Sequence, residues 1–291
     1  MAKDLAKAFG SFSVSMKASE SLSGHRSEDI QVDIIRKKLV FQVTLDVSGS
    51  MSGKPLESAS RALMAIYSED MEDEDMFGLT TFADEVTQHH RAMSKSKVKF
   101  QKDIEHIKKA AEKGCCTALY DGITHDIKAL RKLEPWIRQE LGYDRVVAAH
   151  LVITDGADNS SKTSSLAEVE KLLKNPNVQG YHLYIIGAGL DGVSHRLMSR
   201  LCEENSKFAT FFPVGGVDTR EFHDVIENLR KCIKVLLNIS DINVKEIIST
   251  EIDASNYRVV LNMLATRSEI VAKQLPTLMA SFQRLLLKGS K

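Results

Sequence analysis

Three short segments of this 291-residue chain carry oxygen donors where the chain turns. "LDVSGSM" sets Asp46, Ser48 and Ser50 in the spacing D-x-S-x-S, so alternate residues leaving a strand can aim one carboxylate and two hydroxyls at a common point. "GCCTALYDGI" offers the hydroxyl of Thr117 where a helix begins, and "HLVITDGADNS" places Asp155 just past an apolar strand. A hard dication such as Mg²⁺ takes about six oxygens and accepts waters among them, so side-chain oxygens of this kind match its chemistry. The first triplet alone is a weak signal. Ser and Asp are common at helix starts, and Ser50 and Ser52 are also candidates to cap the helix that begins near Pro55.

The elements that must position these oxygens follow from periodicity. The stretch from Leu39 to Leu45 is β-branched and ends abruptly in Ser and Gly, as a buried strand does. From Pro55, apolar Leu56, Ala59, Leu63, Ile66 and Tyr67 recur at helical spacing. "MFGLTTFA" is a second strand, with residues 86–93 as its hairpin partner. Two helices follow, "VKFQKDIEHIKKAAEK" and "ALYDGITHDIKALRKL", the latter ending near Pro135. "RVVAAHLVITDG", "GYHLYIIGAG" and "ATFFPV" are further strands, alternating with helices that begin near "SSLAEVEKLL", "SHRLMSRLCEEN" and "VDTREFHDVIENLRKC". Strands that alternate with helices of this length predict an α/β fold, a Rossmann-like, doubly wound, mostly parallel sheet of about six strands flanked by helices. In such sheets ligands sit beyond the carboxyl ends of the strands, where the three oxygen-bearing segments fall. Residues 1–34 read as a Ser- and Lys-rich lead-in, and 237–291 as a C-terminal helical extension.

With all three segments at one end of the sheet, the set resembles the metal-ion-dependent adhesion site of the von Willebrand factor A domain. The resemblance covers roughly residues 35–236 and rests on D-x-S-x-S, the Thr of "TALYD" and the Asp of "ITDG". It implies that Ser48 and Ser50 bind a metal directly, that Asp46 and Asp155 bind directly or through water, and that Thr117 alternates between the two modes. Mg²⁺ is the implied ion, with Mn²⁺ or Ca²⁺ as substitutes. A Glu or Asp of a protein partner is implied at the ion's open position. Many intracellular members carry Gly-Gly-Thr where this chain has Cys115-Cys116-Thr117. Two readings of that departure stand. Small cysteines serve as buried packing residues, or neighbouring thiols respond to oxidation or to a softer metal.

Other chemistries fit less well. An aspartyl-phosphate enzyme would want a second Asp at Ser48 and a Lys or further acid, so a Mg²⁺-dependent hydrolase or phosphotransferase stays a minor alternative and no catalysis is expected. "GSMSGKP" is one residue short of a P-loop and puts Pro55 at the metal-binding hydroxyl position. No G-x-S-x-G elbow supports a Ser-His-Asp triad, "GAGLDG" is too short for a dinucleotide fingerprint, and His89, His90 and His106 read as surface histidines. "EDMEDED", Glu69 to Asp75, has no EF-hand spacing and reads as a solvated turn, with the Lys-rich "KSKVKFQK" as a solvated helix face.

Composition sets the boundaries. Thirty-nine Lys+Arg against 39 Asp+Glu give zero formal net charge, without the basic excess of a general nucleic-acid binder. No apolar run approaches the roughly 18 residues of a membrane span, and the N-terminus lacks the apolar core of a secretory signal. Four cysteines are too few for a disulfide framework in this length. A soluble, intracellular, cytoplasmic protein is expected. Leu261, Leu264, Val271, Leu275, Leu278, Phe282 and Leu285 form an apolar stripe in the extension. Self-association through these helices, with the metal merely structural, is the alternative to metal-dependent protein binding.

Overall fold

The computed structural model describes residues 36–111, 114–141 and 146–238. The expected lead-in and the extension beyond 238 lie outside the described residues. Six strands form one sheet in the order β3-β2-β1-β4-β5-β6: β1 (Lys38–Asp46), β2 (Met76–Phe82), β3 (Val86–Ser94), β4 (Val146–Thr154), β5 (Tyr181–Ala188) and β6 (Ala209–Val214). All neighbours are parallel except the β2–β3 hairpin, as the sequence predicts. Among the described residues, six α-helices cover the sheet: α1 (Lys54–Ala65), α2 (Phe100–Ala111), α3 (Leu119–Leu141), α4 (Leu166–Lys174), α5 (Gly192–Glu204) and α6 (Arg220–Asn238).

Strand alternation sorts these helices to two faces. Leu39, Phe41, Val43 and Leu45 of β1 pack in one core with Leu63 of α1, Phe100 of α2 and Phe222 and Ile233 of α6. Val40 and, on β4, Ala148 and Val152 share the opposite core with Ile123 and Ile127 of α3, Leu173 of α4 and Met198 of α5. Helix α3 runs six residues beyond Pro135, against expectation. Ile137, two residues on, is buried in the second core, and Glu134 pairs with Arg138 at 3.2 Å. This packing offsets the hydrogen bond that the proline removes.

The acidic turn also differs from expectation. Exposed Glu72, Asp73 and Glu74 fit a solvated turn, but Asp70 and Asp75 are buried. Asp75 receives Arg36 in a two-pronged pair at 2.9 and 2.7 Å, and the backbone N–H groups of Leu39 and Glu72, each at 2.8 Å. It thereby fastens the starts of β1 and β2 together. Asp70 accepts from Arg230 and pairs with Lys234 at 3.0 Å, tying α6 to the end of the α1 segment. The Lys-rich segment lies on the same turn: Lys95 Nζ donates to the Met71 carbonyl at 2.6 Å and its N–H to that of Asp75 at 2.7 Å. Partners more than 30 residues away made these burials invisible to a local reading. Asp75→Ala leaves a guanidinium and two N–H groups without their acceptor, so chemical denaturation should report a loss of about 3 kcal/mol. A loss under ~1 kcal/mol would return the turn to a solvated role.

Candidate metal centre

Parallel pairing of β1 with β4 sets Leu45 beside Ile153, so Asp46 and Thr154 end their strands at the same level. The Asp46 carboxylate is fully buried there. Its Oδ1 accepts the N–H of Ser48 at 2.8 Å and its Oδ2 accepts the hydroxyl of Thr154 at 2.7 Å. The Ser48 and Ser50 hydroxyls lie 3.1 Å apart, and Ser50 Oγ donates to Asp155 Oδ1 at 2.8 Å. Four of the five expected residues are therefore hydrogen-bonded in series, from buried Asp46 through the N–H and hydroxyl of Ser48 to exposed Ser50 and half-buried Asp155. Ser50 does not cap α1: the residue preceding that helix is Gly53, and no side chain caps it.

Thr117 reaches the group from the other side, on the loop before α3. A side chain added at Gly156, next to Asp155, would have its Cβ 3.0 Å from the Thr117 hydroxyl, so the two loops touch. Asn159 grips Thr117 from that same loop: its Oδ1 accepts the Thr117 N–H at 2.7 Å and its N–H donates to the Thr117 carbonyl at 3.0 Å. At Gly114 a Cβ would lie 2.8 Å from both the Val47 carbonyl and the Ala83 side chain. Only glycine lets the Thr117 loop settle this close to the serine loop.

The electrostatics are unbalanced. Burial pushes the Asp46 carboxyl up to about 6, against the hydrogen bonds from Thr154 and Ser48, and the charge of Asp155 pushes the same way. Burial also raises Asp155, against its hydrogen bond from Ser50. No lysine or arginine pairs with either carboxylate among the described residues. Two carboxylates and three hydroxyls, all hard oxygen donors and short of positive charge, fit a small divalent cation.

The supporting residues are not among the five expected from the sequence. Thr154 orients Asp46, and Asn159 orients Thr117. Asp121 accepts the N–H groups of Lys162 and Thr163 at 2.7 and 3.1 Å, which hold its carboxyl below the ordinary range although burial pushes it up. All three lie in the motif segments "ITDGADN" and "TALYD", a signal that was available. The cysteines correct an expectation: Cys115 is exposed and Cys116 half-buried, so neither is a packing residue. Cys115 Sγ donates to Asp84 Oδ1 at 3.1 Å. Hydrogen bonds to Asp84 and to Cys115 push the Cys116 thiol up to about 12.

A single doubly wound α/β sheet with an oxygen-rich cluster at its carboxyl edge defines a narrow class of domain. The family model for the von Willebrand factor type A domain matches residues 42–227, and the chain belongs to that family. It is 27% identical over 177 residues to inter-alpha-trypsin inhibitor heavy chain H3 of Homo sapiens, a match covering 60% of this chain and 19% of that protein. Inter alpha-trypsin inhibitor heavy chain 4 of Mus musculus is 24% identical over 198 residues, covering 67% of this chain and 20% of its own length. The chain thus spans about a fifth of the length of the curated relatives it matches. Among solved structures, the D319A mutant of the PilB minor pilin from Streptococcus sanguinis superposes with a TM-score of 0.50 at 12% identity, covering 75% of this chain and 68% of that one. That likeness concerns the fold. No helix among the described residues is long and apolar enough to cross a membrane.

Proposed function

We propose that this domain is a metal-dependent protein-binding module in which Asp46, Ser48, Ser50, Thr117 and Asp155 hold Mg²⁺, or Mn²⁺ or Ca²⁺ in its place. The observation that carries the reading is the buried Asp46 carboxylate, bonded only to neutral donors and joined through two serines to a second carboxylate. When bound, the cation supplies an open coordination position suited to a carboxylate oxygen of a partner's Asp or Glu. The chain's own part is positional. Thr154 and the Ser48 N–H fix Asp46, Asn159 fixes Thr117, and exposed Ser50 and half-buried Asp155 form the rim a partner would meet.

We read the module as non-catalytic, because the groups at the strand ends are carboxylates and hydroxyls bonded to one another, with no histidine or lysine bonded among them in the described residues. Its four free thiols, two of them solvent-accessible, favour a reducing, intracellular compartment. The test is affinity capture by wild type and Asp46→Ala, each with Mg²⁺ and with EDTA. Partners should be retained only by the wild type in Mg²⁺. Partners that survive both the substitution and the chelator would refute metal-anchored binding.

A further inference from the structure

Beside the oxygen cluster, and facing away from hard-metal chemistry, three other donors converge. Cys115 Sγ and Cys116 Sγ lie 3.4 Å apart, and Cys115 Sγ lies 3.1 Å from Asp84 Oδ1. One ligand atom from each of Asp84, Cys115 and Cys116 falls within 4.8 Å of the others. Adjacent residues in an extended chain point their side chains to opposite faces, so two consecutive sulfurs this close need the loop to turn them together. Asp84 holds that turn, accepting the Cys115 N–H on its other oxygen at 3.2 Å.

The set is built from two separate loops whose relative position is fixed. Asp84 stands in the β2–β3 turn, 31 residues before Cys115. The preceding Ala83 carbonyl accepts the Ala118 N–H at 2.8 Å, and the Val47 N–H donates to the Phe82 carbonyl at 2.9 Å. The donors are therefore brought together by the scaffold before any ligand arrives, as a binding site requires.

We infer that Asp84, Cys115 and Cys116 form a second metal site, for a thiophilic divalent cation of the Zn²⁺ class, distinct from the oxygen cluster. The distances suit it. Tetrahedral coordination with metal–sulfur bonds of about 2.3 Å and a metal–oxygen bond of about 2.0 Å sets sulfur–sulfur spacing near ~3.8 Å and sulfur–oxygen spacing near ~3.5 Å. Each contact needs to open by about 0.4 Å, within reach of side-chain rotation on an accessible loop. Binding replaces two S–H bonds by two metal–sulfur bonds and releases two protons to solvent, while Asp84 binds as the carboxylate. Three protein donors leave the fourth position to water or to a group from outside. Sulfur donors select against Mg²⁺, and the two sites thus differ in the metal they prefer although one peptide bond joins Cys116 to Thr117.

Cd²⁺ tests this on the full, reduced chain, titrated in excess Mg²⁺ while thiolate-to-cadmium charge-transfer absorption is followed in the ultraviolet. An all-oxygen site gives no such band, so the readout is blind to the oxygen cluster. One equivalent should generate the band in wild type, in Asp46→Ala and in Cys202→Ser/Cys232→Ser. The band should vanish in Cys115→Ser/Cys116→Ser, and Asp84→Ala should weaken Cd²⁺ binding by about tenfold or more. Absence of the band in wild type, its persistence in Cys115→Ser/Cys116→Ser, or unchanged affinity in Asp84→Ala would each overturn the site. Asp84, Cys115 and Cys116 are solvent-accessible, whereas Asp46, Cys202 and Cys232 are buried, and matched circular dichroism establishes that every variant compared is folded.

Discussion

Asp126→Ala should cost the domain about 4 kcal/mol, which is the scale of removing one member of a buried charged network. Asp126 lies on α3, fully buried against the sheet. Its Oδ2 accepts from Gln42 Nε2 at 2.9 Å and from Thr44 Oγ1 at 2.5 Å, both on β1, and its Oδ1 accepts from Thr80 Oγ1 of β2 at 2.7 Å. Because Thr44 gives its proton to Asp126, its oxygen takes the Nε2 proton of His150, 2.6 Å away. The other ring nitrogen, Nδ1, then accepts from the Tyr181 hydroxyl at 2.9 Å. This is a neutral imidazole, and burial holds His150 down at about 4 against the pull of Asp126. One carboxylate thus bonds α3 to β1 and β2 and, through Thr44, His150 and Tyr181, is linked to β4 and β5, and alanine would strand three donors on a face closed to water. Chemical denaturation measures the loss. Asp126→Asn should lose less, since the amide keeps one acceptor and the hydroxyls can reverse. Equal losses in both variants would mean that only shape matters at this position.

The network also shows where a sequence stops being readable. Strand ends are local signals: an apolar run that stops at "DVSGS" or "TDGADN" marks itself, and four of the five expected metal-site residues came from such marks, with Thr117 read from a helix start. The sheet followed from alternation, which needs no knowledge of contacts. Asp126 carries no such mark. In "ALYDGITHDIKAL" it takes its place among polar residues of an amphipathic helix and reads as solvent-facing. Its burial depends on Gln42 and Thr44, more than 80 residues earlier, presenting polar groups on the same face of β1. Asp70 and Asp75 were misread for the same reason, because Arg230 and Arg36 supply their charge balance from 160 and 39 residues away. The cysteine pair was ambiguous because residue type does not encode exposure, and its carboxylate neighbour, Asp84, sits in a hairpin turn with no motif of its own. Helix α3 outran Pro135 because Ile137 found a core that only the folded chain supplies.

The Asp46 carboxylate makes the other large prediction, an inversion of stability with metal. Its raised pKa, about 6 against an ordinary 3.8, means that the folded chain binds this proton more tightly than the unfolded chain does. Without metal, its ionised form therefore opposes folding at neutral pH. The penalty fades as pH falls from about 6 toward 4, so acidification through that window is stabilising at this residue. The difference corresponds to about 3 kcal/mol at pH 7, offset in part in an Asp46→Asn variant because the amide makes a poorer acceptor for Ser48 and Thr154. In EDTA, Asp46→Asn should accordingly be more stable than wild type by about 2 kcal/mol. In Mg²⁺ at 100 times its dissociation constant, wild type should gain about 2.7 kcal/mol and the variant almost nothing, reversing their order. Buried like charges kept at a cost to folding are the mark of a site held ready for a ligand, and not of one optimised for stability. Paired denaturation curves in EDTA and Mg²⁺ decide the matter: a variant less stable than wild type in both solutions would assign Asp46 to the architecture and take the cation away from it.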